Sequence, residues 1–584
     1  MSSPPTIPSS LLPRLPKSQY TLHPLLPADL LILIAHLRTL YLPPIHGGFQ
    51  AADVLDDGDG SEHYGGGEQG KEKVIQVRKE TREKKRERRF SAGLVETMGG
   101  MGLGLDVPLT AAPEHPIMEN QEAEEKEDRS EGEDAAKAYE SEQEEEKPHL
   151  DPFEREWSEK WLNGLVRRSQ GWLEENEEVE NKVAEIKEVE AVLRDATAVL
   201  AMMAGTSAAG SFTRHLVFPM AEYLGPALSQ VRAKLEANPL HSPSTSTFLA
   251  SFSQSPTSPL TLTQHLPSSP TATRSNLSVS PTSSRRTKYP LLPILLHDAP
   301  MNDHLSVGVQ TWGSAILLGR QISLHPADYG LFLPPSTSRG VRVLELGAGT
   351  GLLSILGRKL LDLHAVAETT HPGLVVATDF LPSVLDNLKV CVDLNFPPAI
   401  TDSGIHSATD ISRDTGIHVA KLDWTTFPAF MASGQREGDE ETALFVKDGP
   451  FDLVLASDCV YDETHARLLR EVAGWVLRLP EGEGDQGGTF HILSPLRPTF
   501  QPEIESIVQF FPPHSTYTPL AERQAAASSA SSSIPPELRG EGLGTARGLK
   551  LGTRGDGKRA VKGRKGEGRT DEALGYWWWE VGWA

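Results

Sequence analysis

The sequence predicts an α/β fold whose C-terminal half is a doubly wound, mainly parallel sheet. Three observations carry that expectation. The stretch "VRVLELGAGTGLLSILGRKL", Val341 to Leu360, runs from an apolar segment through glycines at 347, 349 and 351 into a helical pattern. Beyond Tyr289, strand-like segments alternate with helix-like ones. The chain closes on "LGYWWWEVGWA", a β-prone run suited to a final strand. Strand, glycine-rich turn and helix, in that order, open the folds that lay a nucleotide-like ligand along the edge of a parallel sheet. Strand–helix alternation is how such a sheet is written in sequence.

The individual elements follow from pattern. Strands are expected at 341–346, 374–378, 417–421, 451–457 and 488–494. Helices are expected at 351–361, 381–391, 463–479 and about 500–511. Together 289–584 form one α/β domain, broken at about 522–570 by a low-complexity stretch, "RQAAASSASSSIPPELRG" to "KGRKGEGRT", expected to be a disordered insertion. Upstream, 1–45 is an N-terminal helical segment, its helix stopped by Pro43 and Pro44. Residues 46–150 are charged, low in complexity and expected to be mostly disordered. They hold a basic block, "RKETREKKRERR", and a long acidic one. The basic block suits a nuclear address or an RNA-binding arm, or a plain solvated segment. Residues 151–238 carry apolar residues at helical spacing and form a helical domain or extension; 239–288 are a Ser/Thr/Pro-rich linker.

Bulk properties set limits. Net charge is −23, which disfavours the whole chain as a nucleic-acid or anionic-membrane binder. Only two cysteines are present, Cys391 and Cys459, too few for a disulfide framework or a Cys-rich zinc site, so a reducing compartment is expected. The N-terminus lacks the apolar core of a secretory signal. The run "LLILIA" at 30–35 is far short of the roughly 20 apolar residues of a membrane span. No His/Cys/Asp/Glu set shows metal-ligand spacing, and no metal is expected.

The glycines then pose the question of the ligand. A triphosphate cradle needs Lys-Ser or Lys-Thr after the glycines, and none is there. A dinucleotide fingerprint needs a third glycine where Leu352 stands. Glu345, at the strand end, would repel a pyrophosphate but could accept from a cationic amine. The charge sign favours an amino-acid-bearing nucleoside. Asp379 ends the next strand, where a carboxylate can take hydrogen bonds from ribose hydroxyls; a helix-capping or turn role is the alternative.

The pattern Glu345-Leu-Gly347-Ala348-Gly349-Thr-Gly351 resembles the first motif of class I, seven-strand S-adenosylmethionine-dependent methyltransferases. Four further stretches extend the likeness to the family-16-type group, which contains many protein-lysine methyltransferases: "VGVQTWGSAILLGRQI" with Trp312, "LVVATDF", "KLDWTTF" with Trp424, and "FDLVLASDCVYDETHARLL" with Asp458 and Tyr461. The likeness covers about 300–515 and the last ten residues. It implies a seven-stranded Rossmann-like methyltransferase sheet with S-adenosyl-L-methionine as cofactor. Trp312 would close the pocket at the methionine end, Gly347, Ala348, Gly349 and Gly351 would line it, and Glu345 would sit near the amino group. Asp379 would hold the ribose, Trp424 would stack on adenine with Asp423 near its amino group, and Ser457 would touch the cofactor. Asp458 and Tyr461 would be the catalytic pair facing the acceptor amine. Cys459 is expected to be a buried strand-end thiol, and His465 to be exposed on a helix face.

The long N-terminal extension and "DAPMNDHLSVGVQTWGS" look most like the fungal branch that modifies translation elongation factors. The resemblance thus implies a cytoplasmic, monomeric protein-lysine methyltransferase with elongation factor 2 as its protein substrate, the nucleus being a second possible location. Small-molecule or RNA methylation stands as an alternative, although "SDCVY" lacks the prolines of the nucleobase-modifying tetrad. A non-catalytic adaptor on the same fold is another.

Overall fold

The computed structural model describes residues 8–42, 45, 152–176, 182–204, 210–242, 245–246, 248–249, 289–301, 306–332, 339–368, 373–396, 399–401, 404–406, 416–433, 449–482, 484–496, 501–528, 536–562 and 575–584. The charged tracts of 46–150, most of the 239–288 linker and residues 563–570 of the expected insertion lie outside these. Among the described residues, no helix is long and apolar enough to cross a membrane.

The N-terminal part begins with α1 (Pro8–Leu11), α2 (Pro27–Tyr41), α3 (Pro152–Asn176) and α4 (Val183–Met203). Helices α3 and α4 pack on each other, α2 packs on α4, and α1 lies on α3. The expectation of a purely helical 151–238 needs correction. Residues Phe212–Pro219 form strand β1, antiparallel to β2 (Leu291–Asp298), with Phe212 opposite Asp298 and Pro219 opposite Leu291. "FTRHLVFP" is rich in aromatic and β-branched residues, and its partner lies across the linker, where local pattern gives no hint of it. Helix α5 (Leu228–Glu236) follows β1.

The main sheet has seven strands: β3 (Arg342–Leu346), β4 (Leu374–Asp379), β7 (Gly416–Lys421), β8 (Leu453–Ser457), β9 (Thr489–Pro495), β10 (Leu551–Lys562) and β11 (Gly575–Trp583), with a small hairpin, β5 (Ala399–Thr401) and β6 (Gly404–His406), between β4 and β7 in sequence. Their order across the sheet is β10-β11-β9-β8-β3-β4-β7. Strands β7, β4, β3, β8 and β9 are mutually parallel. Strand β11 runs antiparallel to both its neighbours, β9 and β10, so β10 is parallel to the rest. The order reverses direction at β3, where the chain steps to β4 on one side and to β8 on the other. Ligands of open α/β sheets bind outside the strand ends at such a switch point.

Helices cover both faces. Helices α6 (Gly313–Leu324), α7 (Leu352–Glu368) and α8 (Pro382–Asn395) lie on one face. Helix α9 (Phe427–Ser433) precedes β8, and α10 (His465–Val476) and α11 (Gln501–Phe510) lie on the other face. Alternation along β3 sends Val343 into the core beneath α6 and α7, and Leu344 and Leu346 into the core beneath α10. Leu216, Phe218 and Met220, from β1 and just after it, belong to the same core as α6 and α7. The N-terminal region is therefore built into the sheet's own packing.

A second correction concerns 522–570. Helix α12 (Leu520–Ser528) and the segment 536–562 are ordered, and β10 is the sheet's seventh strand. Several of the glycines that give this stretch its low-complexity look serve close approach. A β-carbon on Gly552 would lie 2.6 Å from the Pro512 carbonyl oxygen, and one on Gly544 would lie 2.8 Å from the Trp583 ring.

Candidate active site

The carboxyl ends of β3, β4, β7 and β8 are level. Leu346 pairs with Thr378 and with Ala456, and Asp379 pairs with Lys421. This register brings four loops to one rim: Gly347–Gly351, Asp379–Leu381, Leu422–Trp424 and Ser457–Tyr461. Sequence spacing could suggest each loop, and the sheet is what gathers them.

In the glycine loop, Gly347, Gly349 and Gly351 all have positive φ, at 64°, 56° and 74°. Space is as tight as the backbone is unusual. A β-carbon on Gly347 would lie 2.8 Å from Cys459 Sγ and 3.5 Å from the Trp424 ring; one on Gly349 would lie 3.0 Å from the Gly308 carbonyl oxygen. Ala348 is buried, and its amide donates to Thr378 O at 2.8 Å. Gly351 N donates to Ala348 O at 2.7 Å, closing the turn into α7.

Trp312 stands at the N-terminal cap position of α6, and its indole Nε1 donates to Val307 O at 3.0 Å. It thereby anchors the Val307–Gly308 turn that covers Gly349. Asp379 accepts from Gly349 N at 3.2 Å, Phe380 N at 2.8 Å and Leu381 N at 3.4 Å. Burial still raises its carboxyl above the usual range despite those donors. Asp423 turns its Oδ1 to Thr425, accepting from the amide at 2.9 Å and from the hydroxyl at 2.6 Å. Trp424 lies beside the loop, close to Gly347. Ser457 Oγ is buried and has no hydrogen-bond partner among the described residues.

Glu345 differs from the expectation. It lies on the β3 face that carries Val343, toward α7, and its carboxylate accepts from both Ser354 N, at 2.8 Å, and Ser354 Oγ. It is nearly fully buried, and burial pushes its carboxyl up to about 7, with Asp379 adding to the shift. The side chain fastens the first turn of α7 to the strand below it.

On the acceptor side, Asp458 has φ of 55°, the one positive value outside glycine among the described residues. Its amide donates to Leu493 O at 3.0 Å, which holds the turn against β9. A non-glycine residue held in the left-handed region costs about 1–2 kcal/mol, and such strain gathers at functional sites. Tyr461 is 55% exposed. Partial burial first, and then Cys459 and the Asp379 and Asp458 carboxylates, push its hydroxyl up to about 12. Cys459 is buried under the loop; its thiol donates to Leu346 O at 3.1 Å, and burial lifts it well above the ordinary thiol range. It has the character of an inert packing thiol.

His465 corrects the expectation of an exposed helix residue. It is half-buried and lies edge-on to both Trp424, at 6.0 Å, and Tyr461, at 4.6 Å between ring centroids. Its Nδ1 is 3.1 Å from Cys459 O, which can only accept, so Nδ1 carries the proton. No motif flags it. Trp424 follows one strand and Tyr461 another, and only the fold brings a single imidazole against both.

Residues 298–479 match the lysine methyltransferase family. The matched stretch is about a third of the chain. It holds the glycine loop and strands β3, β4, β7 and β8 of the Rossmann-like sheet, whose other three strands follow it in the chain. The methyltransferase domain is similar to the protein-lysine N-methyltransferase EFM2 of Saccharomyces cerevisiae, at 27% identity over 34% of this chain and 40% of the relative. It is similar also to the protein-lysine N-methyltransferase rrg1 of Schizosaccharomyces pombe, at 31% identity over 28% of this chain and 41% of the relative. The chain thus spans about two-fifths of the length of these curated relatives. Among solved structures, an O-methyltransferase from Bacillus cereus in complex with SAH matches at 9% identity, covering 46% of this chain and 88% of that one, with a TM-score of 0.19. The trans-methyltransferase CalH in complex with SAH matches at 15% identity over 63% of this chain and 94% of that one, TM-score 0.20.

The residues present fit the class cofactor on two counts. Gly347 and Gly349 leave the loop backbone bare of side chains at two positions of positive φ, and Ser457 Oγ is a buried polar atom with no hydrogen-bond partner among the described residues.

Proposed function

We propose that this chain is an S-adenosylmethionine-dependent protein-lysine N-methyltransferase, acting in the cytoplasm on a translation elongation factor, with elongation factor 2 as the specific substrate. The observation that carries the reading is Asp458, held at a strained φ of 55° at the carboxyl end of β8, next to the glycine loop and three residues before Tyr461. The Asp458 amide ties this turn to Leu493 O on β9, and the strain it holds suits a residue kept in place for an acceptor. The family match and the printed names of the two fungal relatives support lysine as the acceptor class. The long N-terminal extension and the "DAPMNDHLSVGVQTWGS" stretch favour the elongation-factor branch.

When bound, the cofactor supplies an activated methyl group on a sulfonium. In this reading the loop from Gly347 to Gly351 receives the amino-acid end, with Asp379 toward the ribose and Trp424 toward the adenine. Ser457 Oγ gains the partner it lacks. Asp458 draws in the lysine ammonium, and Tyr461 borders the entry. An unperturbed lysine has a pKa near 10.4, so neutralising it at pH 7 requires about 4–5 kcal/mol. Partial desolvation between Tyr461, His465 and Trp424 lowers that requirement, and fixed alignment of the amine lowers the barrier further.

Two titrations and one transfer assay test the reading. Calorimetry with S-adenosylhomocysteine should show micromolar binding, with none for NAD. Labelled S-adenosylmethionine should then mark purified elongation factor 2, and lysine-to-arginine variants of that factor should abolish the label. Cofactor binding with labelling of some other protein would keep the enzyme class and remove the substrate. Absence of cofactor binding would leave the adaptor reading.

A further inference from the structure

Strand β1 belongs to the N-terminal region, yet one of its side chains is linked to the glycine loop by an unbroken polar chain. Arg214 is 1% exposed and donates through Nε to Asp298 Oδ2 at 2.5 Å; Asp298 is fully buried. The other carboxylate oxygen, Oδ1, accepts from Thr311 N at 3.2 Å and from Thr311 Oγ1 at 2.7 Å. Thr311 Oγ1 lies 3.5 Å from Thr350 Oγ1. The single hydroxyl proton of Thr311 is given to the carboxylate, so across the last gap Thr350 must donate. Thr350 is buried within the glycine loop, between Gly349 and Gly351.

The same segment is fastened at several other points. Ala299 N donates to Val309 O at 3.1 Å, and Gln310 Nε2 donates to Ala299 O at 3.0 Å. Asn387 Nδ2 bridges His297 O, at 2.9 Å, and Val309 O, at 3.3 Å. The turn so held places the Gly308 carbonyl against Gly349. Asp298 is thus the hub of the site's outer wall, and its charge is balanced from β1. A buried carboxylate left without its cation is strongly disfavoured, so the wall depends on Arg214.

We propose that Arg214, Asp298 and Thr311 are positioning residues through which the N-terminal strand sets the conformation of the glycine loop and hence cofactor affinity. The N-terminal extension is then a working part of the cofactor site, whatever else it binds. The inference rests on the methyltransferase reading only for the identity of the ligand.

The test uses the full chain and two readouts. The first is hydrogen exchange in the cofactor-free protein, followed at the Ala348 and Gly351 amides and at the β3 amides 343–346. Arg214→Met should speed exchange in the loop about tenfold and leave β3 unchanged. Thr311→Val, which keeps the Arg214–Asp298 pair and so keeps the fold, should speed it about threefold. The second is the Kd for S-adenosylhomocysteine, which should rise about tenfold for Arg214→Met, the equivalent of one well-made hydrogen bond, with kcat retained at saturating cofactor. Ser158→Ala is the control. It removes a buried hydroxyl that Tyr41 Oη reaches at 2.9 Å in the N-terminal region and that takes part in none of these bonds. It should leave loop exchange and Kd unchanged. Wild-type loop exchange in both Arg214→Met and Thr311→Val overturns the proposal, and so does equal acceleration in all three variants. If the wild-type protein binds no S-adenosylhomocysteine, the cofactor reading fails and the exchange data alone decide the relay.

Discussion

The two ends of the site differ in how much of their geometry the protein fixes for itself. On the glycine side, Asp379 takes three amides, Ala348 is tied to β4, Trp312 anchors the covering turn, and Glu345 is buried against α7. On the acceptor side, Asp458 is held in a strained turn and Tyr461 is more than half exposed. A small ligand common to many reactions can be met by a rigid, dry cradle. On the proposed function, a protein substrate would bring its own surface and complete the wall that this chain leaves open. Pre-organisation is thus concentrated where the ligand is small, and exposure where the partner is large.

The sharpest way to break that contrast is to fill the cradle. Gly349→Arg places a long side chain at a positive φ against Gly308 O, and calorimetry should detect no S-adenosylhomocysteine binding. Retained binding would remove the pocket assignment.

On the acceptor side, Asp458→Ala removes the carboxylate that draws in and orients the lysine amine, so methyl transfer should fall roughly 10²-fold and cofactor affinity should stay within about threefold. Asp458→Gly should be equally inactive but more stable by about 1 kcal/mol, because glycine adopts this φ freely. Chemical denaturation beside a transfer assay separates the two effects. Full activity in either variant would place Asp458 outside the reaction.

The dryness of the cofactor side has a pH signature. Burial pushes the Glu345 carboxyl up to about 7 from an ordinary 4.5. Between those values the folded protein holds a proton that the unfolded chain has released. The group therefore lowers stability progressively as pH rises from about 4.5 to 7, and the loss is complete above 7. The loss amounts to about 3 kcal/mol at 1.36 kcal/mol per unit. Glu345→Gln should flatten this slope, matching wild type near pH 4 and exceeding it at pH 8 by up to roughly that amount. Urea unfolding at the two pH values checks it; identical slopes would show the carboxylate to be solvated and ionised.

The smallest effect is expected at Cys459. Cys459→Ala should leave transfer within about threefold, since the thiol packs under the loop and burial holds it protonated. A loss beyond 10²-fold in steady-state kinetics would assign it a chemical role.

The legible and illegible parts of the site divide along the same physical line. The strand-end placement of the Gly347–Gly351 loop, Asp379, Trp424 and the Asp458–Tyr461 turn is legible because each is a local pattern at the end of a strand. His465 was not, because its neighbours arrive from two different strand ends. Glu345 was visible as a residue but not by its partner, because strand alternation turned it toward Ser354 on α7. Strand β1 was hidden because its partner lies across the linker. Strand β10 was hidden because a glycine placed for close approach, as Gly552 is to Pro512, looks in a list of residues like glycine chosen for flexibility.

By itself, then, the sequence determined the parallel α/β sheet, the glycine turn and the order of the strand-end residues, since these depend on short-range periodicity and on backbone limits at single positions. The tertiary structure decided the insertion of β11 between β9 and β10, the imidazole set between Trp424 and Tyr461, and the link from Arg214 through Asp298 to Thr350. Each of those joins groups far apart in the chain, and burying a charge or closing a sheet edge is settled only when the distant partner arrives.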